Sequence, residues 1–204
     1  MSSTPKGENM IYIVTSSPRR IEILRRVGIP FEIVKQGSDE PAYRGEDPAE
    51  YVKSVALKKI EKLSLPGITA GFDTAVLVDG KILGKPVDEK DAFSMLSRLS
   101  GRWHRVLTGF AIKNEHRTIT DCEATDVLFS DLSADEITAY ISTGEPFDKA
   151  GAYGIQEKGM LLVKRINGCF YNVMGLPVER FSVSLERFGI SRRSLLGGVY
   201  EETG

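Results

Sequence analysis

Cysteine is scarce in this chain of 204 residues: there are two, Cys122 and Cys169. They form no CxxC pair and have no metal-ligand spacing, so they read as two reduced thiols in a cytoplasmic protein. No apolar run approaches the roughly 20 residues of a membrane span. Charge of one sign is also missing. The 27 basic and 28 acidic side chains leave a net charge of -1. That balance makes neither nucleic acid nor an acidic membrane the expected partner. What is present is an ordinary globular composition, 41% hydrophobic and 27% charged. A chain of this length buries roughly 70% of its unfolded surface and needs no disulfide or metal staple.

The pattern along the chain alternates helices and strands at first and turns to hairpins in the middle. Residues 1–9 are polar and read as a flexible leader. Met10 to Thr15 is a short apolar strand. Ser17 then serves as a helix N-cap with Pro18 at the first helical position, and Gly28 closes that helix. Phe31 to Lys35 is a second strand, followed by a polar loop. Asp47-Pro48-Ala49-Glu50 starts a helix over about 48–63. Ile68 to Val78 is a strand, and Asp79-Gly80 turns it into Lys81 to Gly84. A helix over 88–99 leads to a long hairpin, 103–113 with 117–129. Ser133 to Glu136 is a capping box for a helix closed by Gly144. Strands are expected at 159–165 and 169–174, a last helix at 177–188, and a loose tail over 191–204. The result is a single α/β domain over 10–190 with a mixed sheet.

Three charges contradict the pattern of their own elements. At about 100° per residue, Val52, Val55, Ala56, Ile60 and Leu63 form one apolar stripe, and Lys59 falls inside it. Arg20 points into the apolar arc of the first helix, set by Ile21, Ile23, Leu24 and Val27. Asp73 interrupts the apolar strand ITAGFDTAVLV. Such groups are costly to bury unless they meet partners or reach water. The first helical turn already offers free N–H groups and a partial positive charge. Arg19 and Arg20 beside Ser16 and Ser17 make it an anion site suited to phosphate. Lys85, at the end of the next hairpin strand, is placed to approach Asp73, and Asp39 and Glu40 add an acidic pair. Carboxylates that hold a divalent cation, with cations that hold phosphate oxygens, describe a metal-phosphate site. Structural ion pairing is the plainer reading of each charge taken alone.

The segments TSSPRRIEIL, GFDT, GKP, DAFSMLSRLSGRWHRVLTG, GEPFDKAGAYGIQ and INGCFYNVMGLP follow one another in that order. Together they closely resemble the Maf family of nucleoside triphosphate pyrophosphatases, also called septum-formation-inhibitor proteins. The resemblance implies a Maf/inosine-triphosphatase-like fold: a long twisted mixed sheet, flanking helices, and two lobes around a cleft. It implies hydrolysis of a nucleoside triphosphate to the monophosphate and pyrophosphate in a homodimer, with a divalent cation (Mg²⁺, Mn²⁺ or Co²⁺). By position it assigns Ser17, Arg19, Arg20, Lys59 and Lys85 to the triphosphate site, and Asp73 to proton acceptance. It makes Asp73 and Glu40 the metal carboxylates. Thr15 stands where the family has serine, and Phe72 where it has alanine, adding bulk beside Asp73.

Arg19, Thr74 and Gln156 match the dTTP/UTP branch, with Gln156 and Thr74 reading the pyrimidine edge. The alternatives are 7-methyl-GTP as substrate, a cell-division regulator that binds nucleotide with little turnover, and an RNA-binding module. His104 is expected to be structural and His116 solvated at a turn tip. Trp103, Tyr153 and Tyr171 are expected to pack.

Overall fold

A computed structural model of the protein describes residues 10–35 and 41–197. The elements run in chain order. Strand β1 (Ile11–Val14) leads into helix α1 (Pro18–Val27), followed by β2 (Phe31–Val34) and α2 (Pro48–Lys58). The long strand β3 (Ile68–Val78) turns into β4 (Lys81–Leu83), and α3 (Glu89–Leu99) follows. Then come the hairpin β5 (Trp103–Lys113) and β6 (Thr118–Phe129), α4 (Ala134–Ile141) and β7 (Val163–Asn167). Three short helices complete it: α5 (Phe170–Val173), α6 (Val178–Leu185) and α7 (Arg192–Gly197).

Local sequence explains most helix ends. The Ser17 side chain accepts from the Arg20 N–H, Pro18 opens α1, and Gly28 closes it at φ 78°. Asp47 caps α2 through the N–H groups of Ala49 and Glu50. Ser133 and Glu136 form a complete capping box on α4.

One seven-stranded sheet has the order β2-β1-β3-β5-β6-β7, with β4 also on β3. Strands β2, β1 and β3 are parallel, and the remaining pairs are antiparallel. This mixed α/β sheet bears out the expected fold class. Its pairing pattern creates the cleft. One edge of β3 is paired with β5 from Thr69 to Leu77. The other edge is shared: β1 pairs with Ile68–Gly71 and β4 with Val76–Val78. The stretch from Phe72 to Ala75 is left between them, open on that side.

The packing divides at the same place. On one face of the sheet, Ile11, Ile13, Leu24, Ile68, Phe72, Phe110 and Phe181 form a first core. Val76, Leu96, Val106, Phe129, Tyr140 and Tyr153 form a second. Thr74 and Thr108, paired across β3 and β5, lie on the seam. These two cores are the lobes. Helix α2 covers the opposite face. It approaches closely because two residues beneath it are glycines: a Cβ on Gly109 would stand 2.5 Å from the Val52 carbonyl carbon, and one on Gly71 2.8 Å from the Ala56 oxygen.

Several expectations need correction. Helix α2 ends at Lys58, and the residues to 62 form turns rather than helix. The region expected as a hairpin at 159–165 and 169–174 is a 3-10 turn at Lys158–Leu161, strand β7, and then helix α5. The helical turn draws the Asn172 side chain into the fold, where its amide donates to the Val106 carbonyl at 3.0 Å. No local pattern encodes that long-range bond. The helix expected at 177–188 is α6 plus a 3-10 turn ending at Gly189, φ 84°. The stretch from 191, expected to be loose, contains α7, and its Leu195 packs on the first core. The 1–9 leader and residues 198–204 lie outside the described residues. Trp103 and Tyr171, expected to pack, are 47% and 49% exposed.

Candidate active site

The cleft has a volume of about 550 Å³ and opens at the unpaired stretch of β3. Its first wall is the turn from β1 into α1, carrying Ser16, Ser17, Arg19 and Arg20. Parallel strands β1 and β3 both run toward this opening, the end of a parallel sheet where ligands generally bind. Asp73 rises from the strand floor on the face covered by α2. There Lys59, just past the helix end, meets it: Nζ lies 2.8 Å from Asp73 Oδ1 and 3.2 Å from the Phe72 carbonyl oxygen. The two side chains are 14% and 12% exposed, so the pair is largely withdrawn from water yet reachable from the cleft. The two charges that break their sequence patterns therefore answer each other.

Arg20 lies on the other face of β3. Its Nε donates to the Gly175 carbonyl at 2.6 Å and its Nη2 to Thr74 Oγ1 at 3.0 Å. The guanidinium carbon lies 5.6 Å from the centre of the Phe72 ring, a cation–π distance. Phe72 does not narrow the site. It alternates away from Asp73, is fully buried, and packs edge-on against Phe181 at 5.0 Å. The bulk that replaces alanine thus floors Arg20 and fills the first core.

The opposite wall is a loop over residues 145–159, in which the sequence singles out Gln156 for the base and Tyr153 for packing. Asp148 reaches across to Arg19, with Oδ2 3.0 Å from Nη1, and also receives Lys149 Nζ at 2.7 Å. Burial works to raise the Asp148 carboxyl pKa, but Lys149 and Arg19 outweigh it and hold it below the usual value. Glu145 anchors the loop. Its carboxylate accepts from the Tyr140 hydroxyl at 2.7 Å, the Lys158 N–H at 3.0 Å and the Gly159 N–H at 3.2 Å. Its backbone carbonyl receives Lys149 Nζ at 2.7 Å. Burial, with this bond to Glu145, pushes the Tyr140 phenol above its ordinary range. Asp148 and Glu145 lie in the GEPFDK segment, but nothing in its spacing shows what they hold.

Gln156 lines the cleft from this loop, and its buried amide nitrogen has no hydrogen-bond partner among the described residues. Lys85 lines the cleft from the end of the β4 hairpin and is exposed. Tyr51 of α2 joins the lining and donates to the Pro41 carbonyl at 3.0 Å. The structure thus brings together Ser17, Arg19, Arg20, Lys59, Asp73, Thr74, Lys85 and Gln156 around one cleft. Glu40, the second expected metal carboxylate, lies outside the described residues.

Among the described residues no group of three or more His, Cys, Asp or Glu side chains is arranged to hold a metal ion. An all-protein cage is therefore not built there. A Mg²⁺ ion held largely by substrate phosphates needs only one or two carboxylates. Asp73, a carboxylate beside a cationic cleft, fits that mode.

His104 is structural, as expected. It is buried, its Nε2 is 2.8 Å from the Tyr153 hydroxyl, and Phe129 and Tyr153 pack edge-on to it. Burial lowers its pKa to about 4. His116 is exposed beside its turn.

A parallel-strand end, an arginine-bearing helix start and a lysine-clamped carboxylate around one cleft define an α/β protein built to receive a polyanion. Residues 10–188 match the family described as Maf-like protein, and the chain belongs to that family. It is 48% identical over 182 residues to a protein of Symbiobacterium thermophilum named dTTP/UTP pyrophosphatase, covering 88% of this chain and 94% of that one. A Clostridium perfringens protein of the same name is 44% identical over 189 residues, covering 89% and 98%. One from Bacillus pumilus is 44% identical over 186 residues, covering 90% and 98%. Among solved structures, the Staphylococcus aureus Ham1 protein matches with a TM-score of 0.53 at 12% identity, covering 88% of this chain and 99% of that one. At that identity the likeness speaks for the fold.

Proposed function

We propose that the protein is a nucleoside triphosphate pyrophosphatase acting on dTTP and UTP. The observation that carries this is the convergence on one cleft of five cationic side chains, a clamped carboxylate and the Gln156 amide, whose buried nitrogen has no partner among the described residues. The named activity of its relatives is the same. Arg19, Arg20, Lys59 and Lys85 hold the triphosphate, with the α1 N-terminus and Ser17 adding donors. Asp73 orients a water against the α-phosphorus and accepts its proton. The new P–O bond forms as the α–β bridging bond breaks, and pyrophosphate leaves with the electron pair. A divalent ion held by Asp73 and Glu40, when bound, neutralises phosphate charge. The rest is positioning and electrostatic stabilisation by the side chains of the cleft.

Gln156 recognises the pyrimidine edge, because an amide both donates and accepts. Thr74 contributes to the same selection through Arg20, whose guanidinium it receives at 3.0 Å. The homodimer and the link to septum formation follow from the family resemblance, and the cytoplasmic setting from the two unpaired cysteines. No helix among the described residues is long and apolar enough to cross a membrane.

The test is pyrophosphate release from a panel of nucleoside triphosphates with Mg²⁺, Mn²⁺ or Co²⁺, and with EDTA. Metal-dependent turnover of dTTP and UTP, well above ATP, GTP and 7-methyl-GTP, is expected. A folded protein that releases no pyrophosphate from any of them would overturn the reading.

A further inference from the structure

A chain of hydroxyl contacts links Arg20 to the buried seam between the lobes. Arg20 Nη2 lies 3.0 Å from Thr74 Oγ1. Thr74 Oγ1 lies 2.9 Å from Thr108 Oγ1, and Thr108 Oγ1 lies 3.0 Å from the Asn172 carbonyl oxygen. The direction of every proton follows from chemistry. A guanidinium only donates and a carbonyl only accepts. The Asn172 carbonyl also accepts the Gly175 N–H at 2.9 Å, but its oxygen lies 3.0 Å from Thr108 Oγ1, and the one proton of Thr108 must lie between them. Thr74 must therefore donate to Thr108, and it accepts from Arg20. Any other assignment leaves two oxygens facing each other without a proton between them.

The far end of this chain is rigid. Asn172 is fully buried, and its amide donates to the Val106 carbonyl and to Thr125 Oγ1, each at 3.0 Å. Thr125 in turn donates to the Cys169 carbonyl and accepts the Cys169 N–H. So the carbonyl that ends the chain belongs to a segment pinned to both β5 and β6. Thr108 itself is 0% exposed. The near end is tight as well. A Cβ added to Gly175, whose φ is 95°, would stand 3.2 Å from Thr74 Oγ1 and 3.4 Å from Arg20 Nε.

We propose that Thr108, through this one-way relay, fixes the plane of the Arg20 guanidinium, and that Thr74 acts on the nucleotide through Arg20 rather than by donating to the base. Both are positioning residues. The inference rests on the pyrophosphatase reading for its kinetic consequence, though not for the relay itself. With its only proton committed to Thr108, the Thr74 hydroxyl has none to offer a bound pyrimidine. Removing the Thr108 hydroxyl frees that proton and loosens the guanidinium without altering the side chain of any residue that lines the cleft.

The test compares Thr108→Val, which keeps the shape, with Thr108→Ser, which keeps the hydroxyl. Thr108→Ala replaces the valine variant if that one does not fold. Two readouts are taken. The first is kcat and KM for dTTP. The valine variant should lose about 10- to 100-fold in kcat/KM, the scale of a slightly misplaced binding group. The serine variant should stay within about threefold of wild type, and Thr74→Val with Thr108→Val should be no worse than Thr74→Val alone. The second is the side-chain ¹⁵N NMR of Arg20, identified by the signal missing from Arg20→Lys. Its Nη rotation should be slow in wild type and in the serine variant, and about tenfold faster or more in the valine variant. This readout does not depend on turnover. An unchanged Arg20 signal in Thr108→Val, or multiplying rather than merging effects in the double variant, overturns the relay. A wild-type protein that turns over no nucleotide overturns the pyrophosphatase reading instead, and the NMR comparison alone then decides the relay.

Discussion

The two walls of the cleft are built on different terms. One wall is local: the α1 N-terminus, Lys59 at the end of α2, and Asp73 on β3 sit on regular elements whose caps and periodicity fix where each side chain points. The other wall is a loop of 3-10 turns between α4 and β7. It has no sheet pairing, and its shape depends on Glu145 collecting donors from Tyr140, Lys158 and Gly159. The first wall carries most of the charge that a triphosphate needs. The second carries the Gln156 amide, whose buried nitrogen has no partner among the described residues, and the Asp148 carboxylate that holds Arg19. Cation placement thus rests on secondary structure, whereas the group proposed to select the base rests on tertiary anchors: Glu145, the Asp148–Arg19 pair and the Tyr153–His104 contact.

The sharpest way to break this comparison is Asp73→Asn. It should cut pyrophosphate release by about 10²- to 10⁴-fold, the usual contribution of a positioned base. The fold should survive, as read by circular dichroism, because the amide still occupies the space beside Lys59. Turnover within threefold of wild type would remove Asp73 from its role.

The second prediction concerns His104, which braces Tyr153 beneath the loop wall. Its pKa in the folded protein is about 4, below the roughly 6.5 of an unfolded histidine. As pH falls, the unfolded chain binds the proton first. Its contribution to stability is therefore complete above about pH 6.5 and drains away between about 6.5 and 4, by roughly 3 kcal/mol at most. Urea unfolding at pH 7 and pH 4.5 measures this. His104→Gln should flatten the difference between the two pH values.

On the regular wall, Gly109→Ala should cost about 1–3 kcal/mol by forcing α2 off the sheet, since the new Cβ meets backbone atoms of Val52 and Lys53. Thermal melting reads that loss, and a parallel fall in turnover would report displaced Lys59. On the loop wall, Glu145→Gln should raise the KM for dTTP about tenfold with a smaller change in kcat, and narrow the preference over other nucleotides. If kcat falls instead while selectivity holds, the loop does not present the base-reading group. The smallest effect concerns Cys122, whose thiol burial pushes up to about 11. Alkylation of native protein at pH 8 should leave it largely unmodified.

Much of this was legible beforehand, for reasons that differ by residue. Ser17, Pro18 and Gly28 bracket α1 with local chemistry, so the helix ends could be read. Lys59, Arg20 and Asp73 betrayed themselves by violating the periodicity around them, and the structure shows why each violation is tolerated: an ion pair for Lys59 and Asp73, a carbonyl and a hydroxyl for Arg20. The aromatic residues of 170–173 favour a strand, and the helical turn α5 is tied in by long-range bonds of Asn172 to Val106, Thr125 and Thr108 that no local pattern encodes. Glu145, Asp148 and Thr108 gave no signal of their partners, which lie on other elements.

The sequence by itself determined the elements, their caps and the charged groups that had to find partners, because capping and periodicity act over a few residues. Tertiary structure decided the rest. Strands β1 and β4 share one edge of β3 and leave the stretch from Phe72 to Ala75 open between them. A gap in strand pairing belongs to no single segment, and so the cleft, and the relay that ends in it, exists only once the sheet has formed.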